Sequence, residues 1–279
     1  MNIKLNNGLL MPQFGLGTFL VESGDVAYQT VKYALEIGYR HIDTAQMYRN
    51  EESVGKAIVD SKIPRNEIFI TTKQRGHSTK ENMLKAFNES LEKLKTDYID
   101  LYLIHWPNQD KLINQQSWAF FEELYLSKKV RAIGVSNFTR SHLEDLFETA
   151  KIKPMVNQVE LHPGLTQVNL NKFLKSHDIQ IESYGPFMKG LIFEEPFFQT
   201  LDKIAKKYDK SVAQIVISWG LHKGFIMIPK SVTKERILEN LNATQIKLTD
   251  EEVLEIDQLN RAKRLYSDPD NSPWGPYFE

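Results

Sequence analysis

Eight times along this chain a short β-type run gives way to a longer amphipathic stretch, and that rhythm constrains the fold more than any other feature. The candidate strands are residues 14–17, 40–43, 68–73, 99–105, 132–136, 156–160, 180–184 and 225–229. Between and after them the pattern predicts helices over 26–37, 51–61, 80–94, 116–126, 140–149, 168–176, 197–208, 212–221, 234–242 and 250–259. The last begins on Thr249 with Glu252 three residues on, a capping-box pattern. Ahead of the rhythm, Asn7-Gly8 between apolar residues predicts a β-hairpin over residues 3–12.

Strands separated by helices form parallel sheets. Several of these strands are too uniformly apolar for one wet face, IDLYLI at 99–104 being an example. The economical architecture is a single (β/α)8 TIM barrel with an N-terminal β-hairpin and extra helices, spanning 1–279 as one domain. Such barrels commonly run to about 250 residues. The competing open doubly wound sheet would more often carry an early glycine fingerprint. Here Gly15-Leu16-Gly17 is followed by Thr18-Phe19-Leu20, with no third glycine at the required spacing.

Composition narrows the chemistry. With no cysteine, disulfides, thiolate metal sites and cysteine nucleophiles are excluded, and no metal is expected. A formal net charge of −1 gives no general electrostatic case for nucleic acid or an anionic membrane. The opening residues lack the apolar core of a leader peptide, and no apolar run approaches transmembrane length, so we expect a cytoplasmic protein. No heptad pattern or amphipathic extension suggests assembly, and a monomer is expected.

In a parallel barrel the C-terminal strand ends meet on one face, where active sites are built. Three consecutive strands here end in ionisable groups: Asp43, Lys73 and His105, with Tyr48 in the loop after the first of them. Each has an ordinary alternative: a turn cap, a solvated charge, a buried satisfied imidazole, a surface aromatic. Together they suit proton delivery. A phenol ionises near pH 10, and a nearby ammonium held by a carboxylate would favour its anion. His105 could hydrogen-bond a substrate oxygen. The set fits protonation of an alkoxide formed when hydride reaches a carbonyl carbon.

The hydride donor has a candidate seat. Lys230 and Ser231 follow the last strand and Arg236 lies in the next helix, a combination suited to a phosphate monoester and hence to NADPH over NADH. Ser136-Asn137 and Asn157-Gln158 end two other strands with groups able to hold a carboxamide. Tyr184 offers a ring for a nicotinamide.

These residues sit in stretches that resemble the aldo-keto reductases of bacterial type, essentially from end to end. The matching stretches are GYRHIDTA at 38–45, Tyr48 with Asn50-Glu51, ITTK at 70–73, LYLIHWP at 101–107, IGVSNF at 133–138, NQVE at 157–160, and IPKS at 228–231 with Arg236, Glu239 and Asn240. The resemblance implies an oxidoreductase that reduces small aldehydes and ketones to alcohols with NADPH, giving NADP+. It implies a catalytic tetrad of Asp43, Tyr48, Lys73 and His105, with Tyr48 the proton donor. Ser136, Asn137 and Gln158 would hold the carboxamide and Tyr184 would stack on the ring. Lys230, Ser231, Arg236 and Asn240 would take the 2′-phosphate end, and Glu239 the adenine side. Trp106 is the substrate-pocket candidate. Two departures stand out: Gln74-Arg75 replaces a usual Leu-Trp pocket wall, and Gly185 replaces a serine after the stacking tyrosine. The aromatic tail, with Tyr266, Trp274, Tyr277 and Phe278, would fold over the site or pack on the outer barrel. Two other readings remain: a nicotinamide-binding regulatory subunit without turnover, and a Schiff-base aldolase or isomerase using Lys73.

Overall fold

The computed structural model describes residues 1–275; Tyr277 and Phe278 of the tail lie outside the described residues. The hairpin pairs β1 (Asn2–Lys4) with β2 (Leu10–Pro12) antiparallel, across the expected Asn7-Gly8 turn. It closes the bottom of the molecule: Leu5 and Met11 are buried, and the Asn6 and Asn7 amides donate to the carbonyls of Pro154 and Arg131.

The rhythm then runs as expected. β3 (Leu16–Gly17) leads to α1 (Asp25–Glu36), β4 (His41–Asp43) to α2 (Glu51–Asp60), β5 (Phe69–Gln74) to α3 (Lys80–Leu94), and β6 (Ile99–Ile104) to α4 (Lys111–Leu126). β7 (Val130–Ser136) leads to α5 (Arg140–Phe147), β8 (Val156–Glu160) to α6 (Val168–Ser176), and β9 (Gln180–Tyr184) to α7 (Phe197–Tyr208) and α8 (Val212–His222). β10 (Ile226–Met227) is followed by α9 (Lys234–Asn242) and α10 (Asp250–Asp257). Strands β3 to β10 are neighbours in chain order in one parallel sheet. Parallel bridges Phe14–Met227 and Gly17–Lys230 join its two edges and close the barrel.

Closure depends on a close backbone approach. The Gly17 N–H donates to Pro229 O, and a Cβ at Gly17 would stand 2.7 Å from Ile228 O. Only glycine fits there. The closing strands are shorter than the sequence suggests, partly because Pro229 has no N–H to give to a ladder. Helix starts follow their caps: Ser211 and Gln214 form a capping box on α8, and Thr249 and Glu252 form the expected one on α10. α4 begins before the expected residue 116, because the Asp110 carboxylate accepts from Leu112 N and starts the helix there.

Along each strand alternate side chains point in and out. Outward Tyr102 meets Phe87 and Phe121 beneath α3 and α4, with Tyr102 and Phe121 stacked at 4.7 Å. Burial of each such side chain contributes roughly 1.5–3 kcal/mol. Inward, the upper barrel is polar rather than apolar: His41 and Asp43 from β4, Thr71 and Lys73 from β5, Gln158 from β8 and Glu182 from β9 are all buried. No described helix is long and apolar enough to cross a membrane.

Candidate active site

The four residues expected to form a tetrad come together at the C-terminal mouth of the barrel. Lys73 is fully buried, and its ammonium donates to Asp43 Oδ1 at 2.7 Å, Asp43 Oδ2 at 2.8 Å and Thr44 O at 2.8 Å. Its three hydrogens are shared among these contacts and a longer one to Tyr48. Tyr48, half-buried on the short helical turn Gln46–Tyr48, brings its hydroxyl to 3.5 Å from Lys73 Nζ. His105, just past β6, sets its ring edge-on to the Tyr48 ring at 5.5 Å.

The turn that carries Tyr48 is pinned from below and behind. Gln46 donates to Ala86 O, Ser90 and Tyr102, and accepts from Arg75 N. Buried Asn50 accepts from Thr44 and donates to Thr18 O and Val21 O, and Glu51 accepts from Thr72. The Asn50-Glu51 pair that follows Tyr48 in sequence thus holds loops in place and does not face the mouth.

Electrostatics assign the protons. Burial pushes the Asp43 carboxyl up, while Lys73 and a Gln158 hydrogen bond pull it back. Burial, then the Lys73 charge, holds His105 well below the usual imidazole range, so it is neutral at pH 7. The expectation that Lys73 lowers the phenol is corrected here. Burial, then the carboxylates of Asp43 and Glu182, pushes Tyr48 well above 10. Tyr48 is therefore a neutral hydroxyl at pH 7.

The expected cofactor residues divide into two groups. Asn137 donates to His105 O at 3.0 Å and accepts from Tyr184 at 2.7 Å; Ser136 donates to Gln158 O at 2.9 Å. Gln158 donates from Nε2 to Asp43 Oδ2 and to Glu182 Oε2, both at 2.8 Å. Among the described residues nothing donates to its Oε1. At the other side, Lys230 and Arg236 are exposed and meet no carboxylate among the described residues, while Ser231 and Asn240 are buried. Thr233 stands at the N-cap of α9 without a side-chain cap bond, leaving that helix's first N–H groups open beside Lys230 and Ser231. Glu239 is already engaged, accepting from Ser211. Free cations, an open helix start and an unclaimed amide oxygen fit a long ligand with a phosphate at one end and an amide at the other.

Trp106 is buried, and His77 holds its carbonyl at 3.0 Å while contacting Ser117 at 2.7 Å. Gln74 turns outward, its amide donating to Gly76 O and approaching Met83 S, so it builds no pocket wall. Arg75 is exposed. The tail crosses the mouth. Glu160 accepts from Leu265 N and Tyr266 N, Tyr266 meets the Tyr184 ring edge-on at 5.2 Å, and Asn108 donates to Gly275 O. Gly185 now has a reason: at φ +64 its Cβ would come within 2.7 Å of the Tyr266 ring. Glycine at that position lets Tyr266 lie over the end of β9.

Sequence reading missed Glu182, Phe19 and the Glu160 anchor. Phe19 packs on Tyr48 at 5.2 Å and walls the mouth from the loop after β3. Glu182 had a signal, a lone carboxylate inside an otherwise uncharged strand. Glu160 gave none until the tail was placed.

Comparison with known proteins agrees with this geometry. The aldo/keto reductase family model matches residues 13–261. Glyoxal reductase of Bacillus subtilis (strain 168) is 47% identical over 272 residues, covering 96% of each chain. Among solved structures, MGS-M4, an aldo-keto reductase enzyme from a Medee basin deep-sea metagenome library, superposes with a TM-score of 0.91. It is 47% identical and the match covers 98% of this chain and 100% of that one. A mutant of Gox0644 in complex with NADPH superposes with a TM-score of 0.90 at 38% identity, covering 98% of each chain. The chain belongs to the aldo/keto reductase family.

Proposed function

We propose that this protein reduces small aldehydes and ketones to alcohols with NADPH, in one barrel domain, with Tyr48 as the proton donor. The observation that carries the reading is the buried Lys73–Asp43 pair with the Tyr48 hydroxyl 3.5 Å away at the barrel mouth. Small dicarbonyls are the first substrates to try, since the relative from Bacillus subtilis is named a glyoxal reductase.

NADPH, when bound, supplies the hydride. Ser136, Asn137 and Gln158 would hold its carboxamide, and Tyr184 its ring. Lys230, Ser231, Arg236 and Asn240 would hold its 2′-phosphate, with Glu239 toward the adenine. The protein's own residues do the rest. A carbonyl oxygen placed against Tyr48 accepts the phenolic proton as negative charge develops on it, and neutral His105 gives a second hydrogen bond to that oxygen. The Lys73 ammonium stabilises the tyrosinate left behind, and Asp43 keeps that ammonium charged and aimed. Phe19, packed on Tyr48, and Tyr266, over the end of β9, would wall the reacting oxygen, with Trp106 on the substrate side. A Schiff-base role for Lys73 finds no support, because its nitrogen is buried and held against Asp43 and Thr44.

The test is NADPH oxidation with glyoxal and simple aldehydes, wild type beside Tyr48→Phe. Positioned general acids contribute about 10²–10⁴-fold. We expect kcat to fall by that order in Tyr48→Phe while NADPH affinity holds. Tight NADPH binding with no turnover by the wild type on any carbonyl would instead favour a regulatory subunit.

A further inference from the structure

Beneath the tetrad lies a second carboxyl that the proposed chemistry does not use. Glu182 is fully buried on β9, one inward position below Tyr184. Its Oε2 accepts from Gln158 Nε2 at 2.8 Å, and the same nitrogen donates to Asp43 Oδ2 at 2.8 Å. Its Oε1 has no hydrogen-bond partner, and the nearest cationic candidate, His41 Nε2, stands 3.7 Å away and contacts Thr71 instead.

This arrangement fixes one degree of freedom that matters. A glutamine amide offers two N–H donors on one side and a carbonyl acceptor on the other, and in isolation can turn either toward a ligand. Here both hydrogens are taken by carboxyl groups from β4 and β9, so an amide turned over would lose its bond to Asp43 and set its oxygen against that carboxylate. The register places Gln158 directly beside Glu182 on the neighbouring strand, so the clamp is built on sheet and not on loops. Two carboxylates sharing one nitrogen cannot both ionise cheaply. Lys73 keeps the negative charge on Asp43, and burial with the Asp43 charge pushes Glu182 up to about 8, so it is mostly protonated at pH 7.

We propose that Glu182 is a positioning residue for the nicotinamide: its carboxyl clamps the Gln158 amide against Asp43, so that Gln158 meets the cofactor only as an acceptor for the carboxamide N–H. The inference rests on the NADPH reading above. It gives a reason for a buried carboxyl with one oxygen unpaired, a costly placement that packing alone does not need.

The test compares binding of NADPH with that of its reduced 3-acetylpyridine analogue, whose acetyl group has no N–H to donate. Dissociation constants are read by quenching of protein fluorescence, without turnover. One neutral hydrogen bond is worth roughly three- to tenfold in affinity, and we expect wild type to prefer NADPH by that factor. Glu182→Leu should lower that ratio toward one, since only the Asp43 bond then holds the amide. Glu182→Gln, whose carbonyl still accepts from Gln158, should restore it. If Glu182→Leu fails to fold, Glu182→Ala carries the same comparison, with water able to enter. A wild-type ratio kept in Glu182→Leu or Glu182→Ala would overturn the proposal, as would a wild type that binds both cofactors equally well. A wild type that binds neither would overturn the NADPH reading itself.

Discussion

The two ends of the barrel mouth are built on opposite plans. At the β4–β6 corner the charges are buried and already paired: Lys73 with Asp43, and Asp43 again with Gln158. At the β10–α9 end Lys230 and Arg236 are exposed, and no carboxylate among the described residues meets them. The first plan desolvates charge during folding, so nothing need reorganise when a substrate arrives. The second leaves cations in water, where they attract an anion and give up hydration only on binding. Burial thus separates the paired charges of one end from the unpaired cations of the other.

That contrast should break first at Lys73. Replacing it with Met strands the Asp43 carboxyl in the interior, and breaking a buried pair in this way costs about 3–5 kcal/mol. Lys230→Met at the exposed end should move stability by less than about 0.5 kcal/mol. Urea unfolding of the two variants would expose the contrast as false if both losses were small.

The buried side should also carry the acid sensitivity. Burial holds His41 down to about 3 and His77 down to about 4, so both are neutral in the native protein at pH 7. Unfolded, each protonates near pH 6.5. Between those values the unfolded chain binds more protons, so stability is full above pH 6.5 and falls as the pH drops toward 4. By pH 5 the loss is about 2 kcal/mol per histidine. His77→Gln should therefore lose about 2 kcal/mol less than wild type between pH 7 and pH 5. An equal loss in both would mean that His77 takes up a proton in the folded state.

The two ends were not equally legible in the sequence. The tetrad could be read because barrel topology turns three strand ends, Asp43, Lys73 and His105, into neighbours without any knowledge of side-chain packing. The barrel itself followed from strand and helix periods, whereas the part Gly17 plays in closing it showed only in the structure. What could not be read were relations between side chains that distant strands bring together. Glu182 stands far from Asp43 in sequence, and only the β8–β9 register sets Gln158 between them. The sign of the Tyr48 shift failed for a related reason: Lys73 was visible as a neighbour, but the burial of the phenol, the largest cause of its rise, and the Glu182 carboxyl were not. Gly185 looked like a lost contact until Tyr266 was found above it.

The most direct measurement is a split of kcat from NADPH affinity in Tyr48→Phe and Arg236→Ala, made in one assay series. The account predicts that Tyr48→Phe loses kcat by about 10²–10⁴-fold and binds NADPH as wild type does. It predicts that Arg236→Ala weakens NADPH binding about tenfold and leaves both kcat at saturation and NADH affinity unchanged. Loss of kcat in Arg236→Ala at saturating cofactor, or loss of affinity without loss of kcat in Tyr48→Phe, would contradict it.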